Sequence, residues 1–383
     1  MISLVKQTIS TSELQKLSDW LDTNPRLTKG DLNDQFEEKW SEWLGTKYSI
    51  FVNSGSSANL AAFYALKLSG RLKNNKVIVP TVSWATTVAP AIQLEFEPIL
   101  CDCNLENLGL NIEHLEQLVD QHNPSMLVAV NVLGFANNYD KIKEICKQKD
   151  IILLEDSCES VGTEAYGKKT GCFGDVSTFS FFYGHHMSTV EGGMVCTDDE
   201  HLAMLLKSIR SHGWDRDISE EARKSLRNKY SIDNFNAPYT FYYPGFNLRC
   251  TEMQAFLGIG QLEKLNEIIK KRYYNFKLYQ ARLGEINCLS LPDHTIVSNF
   301  AYPIVHNKSK QISKALNNLE VSHRPLIAGS LSKQPFWIDR YGRQKLANGE
   351  LIHTNGFYVP NNHEISDDEI ELVCDIIMTE IQK

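Results

Sequence analysis

Two adjacent histidines, His185 and His186, stand just ahead of Ser188-Thr189-Val190-Glu191-Gly192-Gly193. An imidazole takes up and returns a proton near neutral pH, so this pair is a candidate for acid–base work. Upstream, Asn53-Ser54-Gly55-Ser56-Ser57-Ala58-Asn59-Leu60 follows an apolar run and opens a helical pattern. Backbone N–H groups and hydroxyls at such a helix start can cradle a phosphate dianion, although Ser-Gly-Ser-Ser is also ordinary loop chemistry. Between them, Ile151-Ile152-Leu153-Leu154 runs into Glu155-Asp156-Ser157-Cys158-Glu159-Ser160. A carboxylate at the end of a buried strand can keep a ring nitrogen protonated, or it can simply cap a helix.

The elements that must position these residues are readable from the apolar pattern. Short β-rich runs at 49–52, 77–79, 98–100, 126–130, 151–154, 176–179 and 193–196 alternate with helical stretches such as 112–121 and 139–149. Continuous runs of this length predict strands buried on both faces with crossover helices between them, hence an α/β fold with a mainly parallel central sheet. Residues 213–243 are polar and aromatic with no clear period, which predicts an ordered arm near the site. A long helical pattern begins at Thr251 and leads into a smaller C-terminal α+β domain. The expected division is a large domain with N-terminal helices over 1–274 and a small domain over 275–383.

In this order the motifs resemble the DegT-type nucleotide-sugar aminotransferases, which have the aspartate-aminotransferase fold (fold type I) of pyridoxal-phosphate enzymes. The resemblance covers nearly the whole chain. In that family a lysine six positions before Glu-Gly-Gly bonds covalently to the cofactor; His185 occupies that place. The resemblance implies a site for pyridoxal or pyridoxamine 5'-phosphate. Gly55, Ser56, Ser57 and Ser180 would hold the phosphate, Trp84 of Pro80-Thr81-Val82-Ser83-Trp84 would stack on the ring, and Asp156 would meet its nitrogen. Glu159 falls where many members carry a glutamine near the ring hydroxyl. Asn247 of Pro244-Gly245-Phe246-Asn247-Leu248-Arg249 would reach the phosphate of a neighbouring subunit, which implies a homodimer with shared active sites.

His-His ahead of Ser-Thr-x-Glu-Gly-Gly resembles the branch of the family that removes a sugar hydroxyl instead of delivering an amine. His185 would then be the base, and the substrate a nucleotide-linked 4-keto-6-deoxy sugar that loses its C3 hydroxyl, with glutamate restoring the pyridoxamine form. The residue type agrees, because an imidazole exchanges protons but cannot serve as an amine anchor. Adjacent side chains on an extended segment face opposite ways, so His186 is expected to be a buried support instead of the base. His212, Trp214, Arg249 and Arg324 are candidates for sugar, phosphate or carboxylate contacts, as arginine forks suit either anion. The branch leaves the nucleotide open between GDP and CDP, and an ordinary aminotransferase-like protein is the alternative.

Composition bounds these readings. The chain has 383 residues, 42% hydrophobic and 22% charged, in the ordinary range of globular proteins. A formal charge of −8 disfavours a sequence-blind nucleic-acid binder. No window reaches the apolar length of a membrane span, and the N-terminus lacks an apolar stretch behind a basic head, so a cytoplasmic protein is expected. The nine cysteines show no clustered spacing of the kind an iron–sulfur centre requires, and Cys101-x-Cys103 is expected to be a strand end and not half of a metal site. Lys168-Lys169 lies in a glycine-bounded hairpin, away from the histidine pair.

Overall fold

The computed structural model describes residues 1–287, 289–292 and 294–383. All seven apolar runs form strands: β1 (Tyr48–Val52), β2 (Lys76–Pro80), β3 (Glu97–Cys101), β4 (Met126–Val130), β5 (Ile152–Asp156), β8 (Val176–Ser180) and β9 (Gly193–Thr197). The short hairpin of β6 (Glu164–Ala165) and β7 (Lys168–Lys169) holds the paired lysines. The large sheet has the order β1-β9-β8-β5-β4-β2-β3. β9 runs antiparallel to both of its neighbours, while every other neighbouring pair is parallel.

Eight helices precede the longest one: α1 (Thr11–Asp22), α2 (Asp31–Leu44), α3 (Gly55–Leu68), α4 (Ala85–Gln93), α5 (Ile112–His122), α6 (Tyr139–Lys149), α7 (Glu200–Arg210) and α8 (Glu220–Lys229). Alternate strand residues divide the core between two faces of the sheet. Val77, Val79, Val128, Ile152 and Leu154 pack with Ala58, Ala61, Ala62 and Leu66 of α3, whereas Ile78, Leu127, Ala129 and Leu153 pack with α5 and α6. Helix α6 shows why its bounds were legible: Asn138 caps it by accepting from the Lys141 N–H, and Asp150 ends it in the left-handed conformation.

The 213–243 segment differs from its expected irregularity, because it contains α8. Ser219 caps that helix, Glu220 and Glu221 lie in its first turn, and Arg227 and Lys229 lie in its last. None of its residues is buried, so it carries no apolar stripe for a period to reveal.

Helix α9 (Glu252–Asn287) crosses the molecule unbroken through residue 275 and packs on α2, on β10 (Ala301–Val305) and on α13 (Asp367–Gln382). Beyond it, β10, β11 (Arg324–Pro325) and β12 (Gly356–Pro360) form an antiparallel sheet in the order β10-β12-β11. Helices α10 (Ser309–Asn318), α11 (Pro335–Tyr341) and α12 (Ala347–Asn355) complete this part. The two sheets are tied by Asp102, whose carboxylate accepts from the Asn348 and Gly349 N–H groups at 3.0 and 2.8 Å and so caps α12. Thr81 and Ser330 add a hydroxyl contact at 2.9 Å.

Candidate active site

The C-terminal ends of β5 and β8 form the floor of a cavity of about 460 Å³. Open parallel sheets place ligands at this edge. Along β5 the pleat sends Glu155 and Asp156 in opposite directions. Glu155 turns away from the cavity and accepts three backbone N–H groups, from Gly171, Phe173 and Gly174. Asp156 lines the cavity, its Oδ2 accepting from Asn59 Nδ2 at 2.9 Å and from the Thr87 hydroxyl at 2.7 Å. Its Oδ1 accepts the Cys158 N–H at 3.1 Å. Three donors from three elements leave this buried carboxylate one fixed orientation.

At one end of the floor α3 begins. Ser54 caps it, accepting the Ser57 N–H at 3.0 Å, while Ser56 and Ser180 line the cavity beside Gly55. A Cβ on Gly55 would lie 2.6 Å from the Ser180 Cβ, and one on Gly193 would lie 2.3 Å from the Ser54 carbonyl oxygen. Two bare backbones thus keep a cradle open at a helix N-terminus, where N–H groups and the helix dipole favour an anion. Trp84, at the cap of α4, lines the cavity and remains 58% exposed.

His185 forms part of the wall. The chain at 183–187 is a turn and not the expected extended segment, with the His185 N–H donating to the Phe182 carbonyl at 2.9 Å. The turn still separates the two rings. His185 faces the cavity, packed against Phe300 at 5.3 Å between ring centroids, while His186 is fully buried with Nε2 at 2.8 Å from the Ser298 carbonyl. The His185 Nδ1 is buried without a partner among the described residues, which leaves Nε2 as the nitrogen for proton exchange. The ordinary imidazole value near 6.5 does not hold here: burial, and then the Arg272 charge, push His185 down to about 4. The ring is therefore neutral at pH 7, and its protonated form is a strong proton donor.

Glu159 also lines the cavity. Burial, opposed by the hydrogen bond from the Leu133 N–H and reinforced by Asp156, raises its carboxyl to about 7. The Leu133 N–H reaches Oε2 at 2.8 Å because Leu133 adopts a left-handed φ of 51°. A carboxyl that is about half protonated near neutrality can donate a hydrogen bond in its protonated form as a glutamine amide does, which gives a physical reason for an acid at that place.

The cavity thus gathers Gly55, Ser56, Trp84, Asp156, Glu159, Ser180 and His185. Ser57 takes part in the α3 cap, bonded to Ser54. Asn247 and Arg249 sit on the strand-like segment bridged to Ser211 and Val52, and Arg324 is exposed on β11. His212 and Trp214 pack together outside the wall, with Arg216 over the Trp214 ring at 3.8 Å and Phe241 stacked on it. Sequence reasoning did not single out Asn59, Thr87, Phe300, Ile327 or Tyr358, all of which line the cavity. Asn59 had a signal, as a polar residue on the apolar face of α3; the last three come from beyond α9 and had none.

The profile of the DegT/DnrJ/EryC1/StrS aminotransferase family matches residues 7–378. GDP-4-keto-6-deoxy-D-mannose 3-dehydratase of Escherichia coli O55:H7 is 33% identical over 386 residues, covering 98% of each chain. The Yersinia pseudotuberculosis protein of the same name is 34% identical over 374 residues, covering 94% of each. Among solved structures, a variant of GDP-4-keto-6-deoxymannose-3-dehydratase with bound GDP-perosamine superposes with a TM-score of 0.89 at 31% identity, covering 98% of this chain and 100% of that one. The same enzyme with a trapped PLP-glutamate geminal diamine gives the same score, identity and coverage. By sequence over nearly its full length and by fold, the chain belongs to the DegT/DnrJ/EryC1/StrS aminotransferase family.

Proposed function

We propose that this protein is a pyridoxamine-phosphate-dependent 3-dehydratase that removes the C3 hydroxyl of GDP-4-keto-6-deoxy-D-mannose or a close relative of that sugar. The observation that carries the reading is His185, a neutral imidazole at the family's lysine position, in a cavity whose other groups suit the cofactor. The fit rests on the bare-backbone cradle at Gly55 and Gly193 and on the thrice-bonded Asp156. The relatives named for this activity support the guanosine nucleotide.

When bound, the cofactor supplies an amine to condense with a keto group and a ring that accepts electrons. Asp156 holds the proton on the ring nitrogen, and the N-terminus of α3 with Ser56 and Ser180 holds the phosphate. Trp84 presents an indole face, and Glu159 offers its proton to the ring hydroxyl. With the pyridoxamine form bound, His185 would take a proton at Nε2 from the cofactor's aminomethyl carbon, whose C–H electron pair offsets the pair that leaves with the C3 oxygen, and would return that proton to the departing oxygen, so that the hydroxyl leaves as water. Glutamate restores the amine, and Arg324, beside Tyr358 at the edge of the cavity, suits its carboxylate.

The reading extends to assembly as a homodimer. Phe182, Tyr183 and Val190 lie exposed near the cavity, as do Tyr239 and Phe241 of the arm. A second copy covering them would bring its Asn247 toward the phosphate cradle, and light scattering reads the mass directly. The activity is tested by incubation with GDP- and CDP-linked 4-keto-6-deoxy sugars and glutamate, followed by mass analysis. Loss of one oxygen from the GDP sugar is expected; an aminated sugar that keeps its C3 hydroxyl overturns the proposal.

A further inference from the structure

Helix α9 buries one stripe of side chains, with Leu265, Ile268, Phe276, Tyr279 and Leu283 in the core. Arg272 occupies a position of that stripe and is only 2% exposed. A buried guanidinium normally finds a carboxylate. Among the described residues Arg272 has none within ion-pair distance. Instead Nη1 donates to three backbone carbonyls, those of Asn299 at 3.3 Å, Phe300 at 3.0 Å and Asn361 at 2.5 Å, while Nε has no partner. Two of these carbonyls, those of Asn299 and Phe300, belong to the segment that backs the histidine pair: His186 Nε2 meets the Ser298 carbonyl, and the Phe300 ring packs on His185.

We propose that Arg272 is the positioning residue of the base: its Nη1 pins the Asn299–Phe300 backbone behind the two histidines and sets a fixed positive charge there. The proposal rests on the reading of His185 as the base. A charge that neither moves nor titrates in the working pH range keeps the resting imidazole neutral and makes its protonated form quick to surrender the proton to the leaving oxygen. Burial and the same guanidinium also lower His186 and His363, so three imidazoles around one cation stay neutral. The other titratable groups of the cavity are Asp156, Cys158 and Glu159 after β5, Glu191 on the histidine segment and Tyr358 on β12. Glu159 is about half protonated near pH 7 and Tyr358 is pushed up to about 12, while the charge that bears on His185 is that of Arg272.

The test compares wild type, Arg272→Lys and Arg272→Gln by histidine NMR titration, with the His185 signal assigned by its loss in His185→Asn, and by the pH profile of single-turnover dehydration. Arg272→Gln should raise the His185 titration and the acid limb of the profile by about one pH unit. Arg272→Lys should keep the titration near the wild-type value while slowing turnover, because the lysine side chain is one atom shorter and its nitrogen falls short of the Nη1 position where the three carbonyls converge. An unmoved titration in Arg272→Gln overturns the proposal, as does a wild-type His185 that titrates near 6.5. If Arg272→Gln does not fold, the wild-type titration and the Arg272→Lys variant still decide. Wild type that catalyses no dehydration refutes the functional reading instead, whatever the titrations give.

Discussion

Replacing Gly55 by alanine tests the phosphate cradle where its geometry is tightest. The added Cβ would sit 2.6 Å from Ser180 Cβ, 3.0 Å from Ser180 Oγ and 3.1 Å from Cys158 Sγ. Carbon atoms in contact stand about 3.5–4.0 Å apart, so Ser180 must withdraw by about 1 Å. It has little freedom to do so, because it pairs with Gly193, which itself lies against the Ser54 backbone. Overpacking of this kind costs about 1–3 kcal/mol, and the gain in helix propensity returns about 0.5–1 kcal/mol. Folding should therefore suffer by at most about 2.5 kcal/mol. The Ser180 displacement also removes a cradle group, so the Kd for pyridoxal phosphate should rise about 10- to 100-fold, or about 1.4–2.8 kcal/mol. Thermal unfolding of the apoprotein and absorbance titration with the cofactor separate the two costs. The Gly55→Ala/Ser180→Gly double variant removes the clashing carbon, and its stability should return to within about 0.5 kcal/mol of Ser180→Gly alone. Wild-type cofactor affinity in Gly55→Ala, or a stability penalty that persists in the double variant, refutes the argument.

Three further predictions follow from the cavity. His185→Lys restores an amine at the anchor position and should bind the cofactor covalently, trapped by borohydride, with loss of dehydration; dehydration at the wild-type rate would remove His185 from the chemistry. Glu159, raised to about 7 in the folded protein, favours folding most at low pH and loses that contribution as pH rises through about 4.5 to 7. Glu159→Gln should therefore raise stability by about 1–2 kcal/mol at pH 8 and change it little at pH 4, as read by urea unfolding; a reversed pattern sinks the assignment. His185 and His363 are held down to about 4, so the unfolded chain binds protons first as pH falls below about 6.5. Glu159 opposes this loss over the same range, so the test is a difference: between pH 6.5 and pH 4.5 wild type should lose about 1–3 kcal/mol more than His185→Asn does.

The large sheet was legible because strands buried on both faces keep continuous apolar runs, and all seven survived into the structure. Helix α6 was legible through its period and its caps. Helix α8 was not, since a helix that buries nothing leaves no stripe. The cavity floor could be anticipated because Gly55, Asp156 and Ser180 each sit at a strand end or helix start. Its opposite wall could not, because Phe300, Ile327 and Tyr358 reach the site only through the reversal of the chain along α9. Asn59 and Thr87 gained meaning once the Asp156 oxygens had positions. The separation of His185 and His186 was anticipated on the wrong ground, for a turn separates the rings and not strand alternation. Arg272 was hidden by its place in an apolar stripe, where charge gives no periodic signal.

The pairing of β1 with β9 has a consequence for synthesis. The first strand of the sheet finds its hydrogen-bonding neighbour only in the last, and α3, which begins the cradle, packs on β8 and β9. A chain emerging from the ribosome therefore exposes β1 to β5 as an unfinished sheet with an open edge until β8 and β9 are made. Closure of so non-local a pairing is slow, and the cradle does not exist before it. Free cofactor thus cannot guide the nascent chain; it stabilises only the finished molecule, in proportion to its concentration over its Kd.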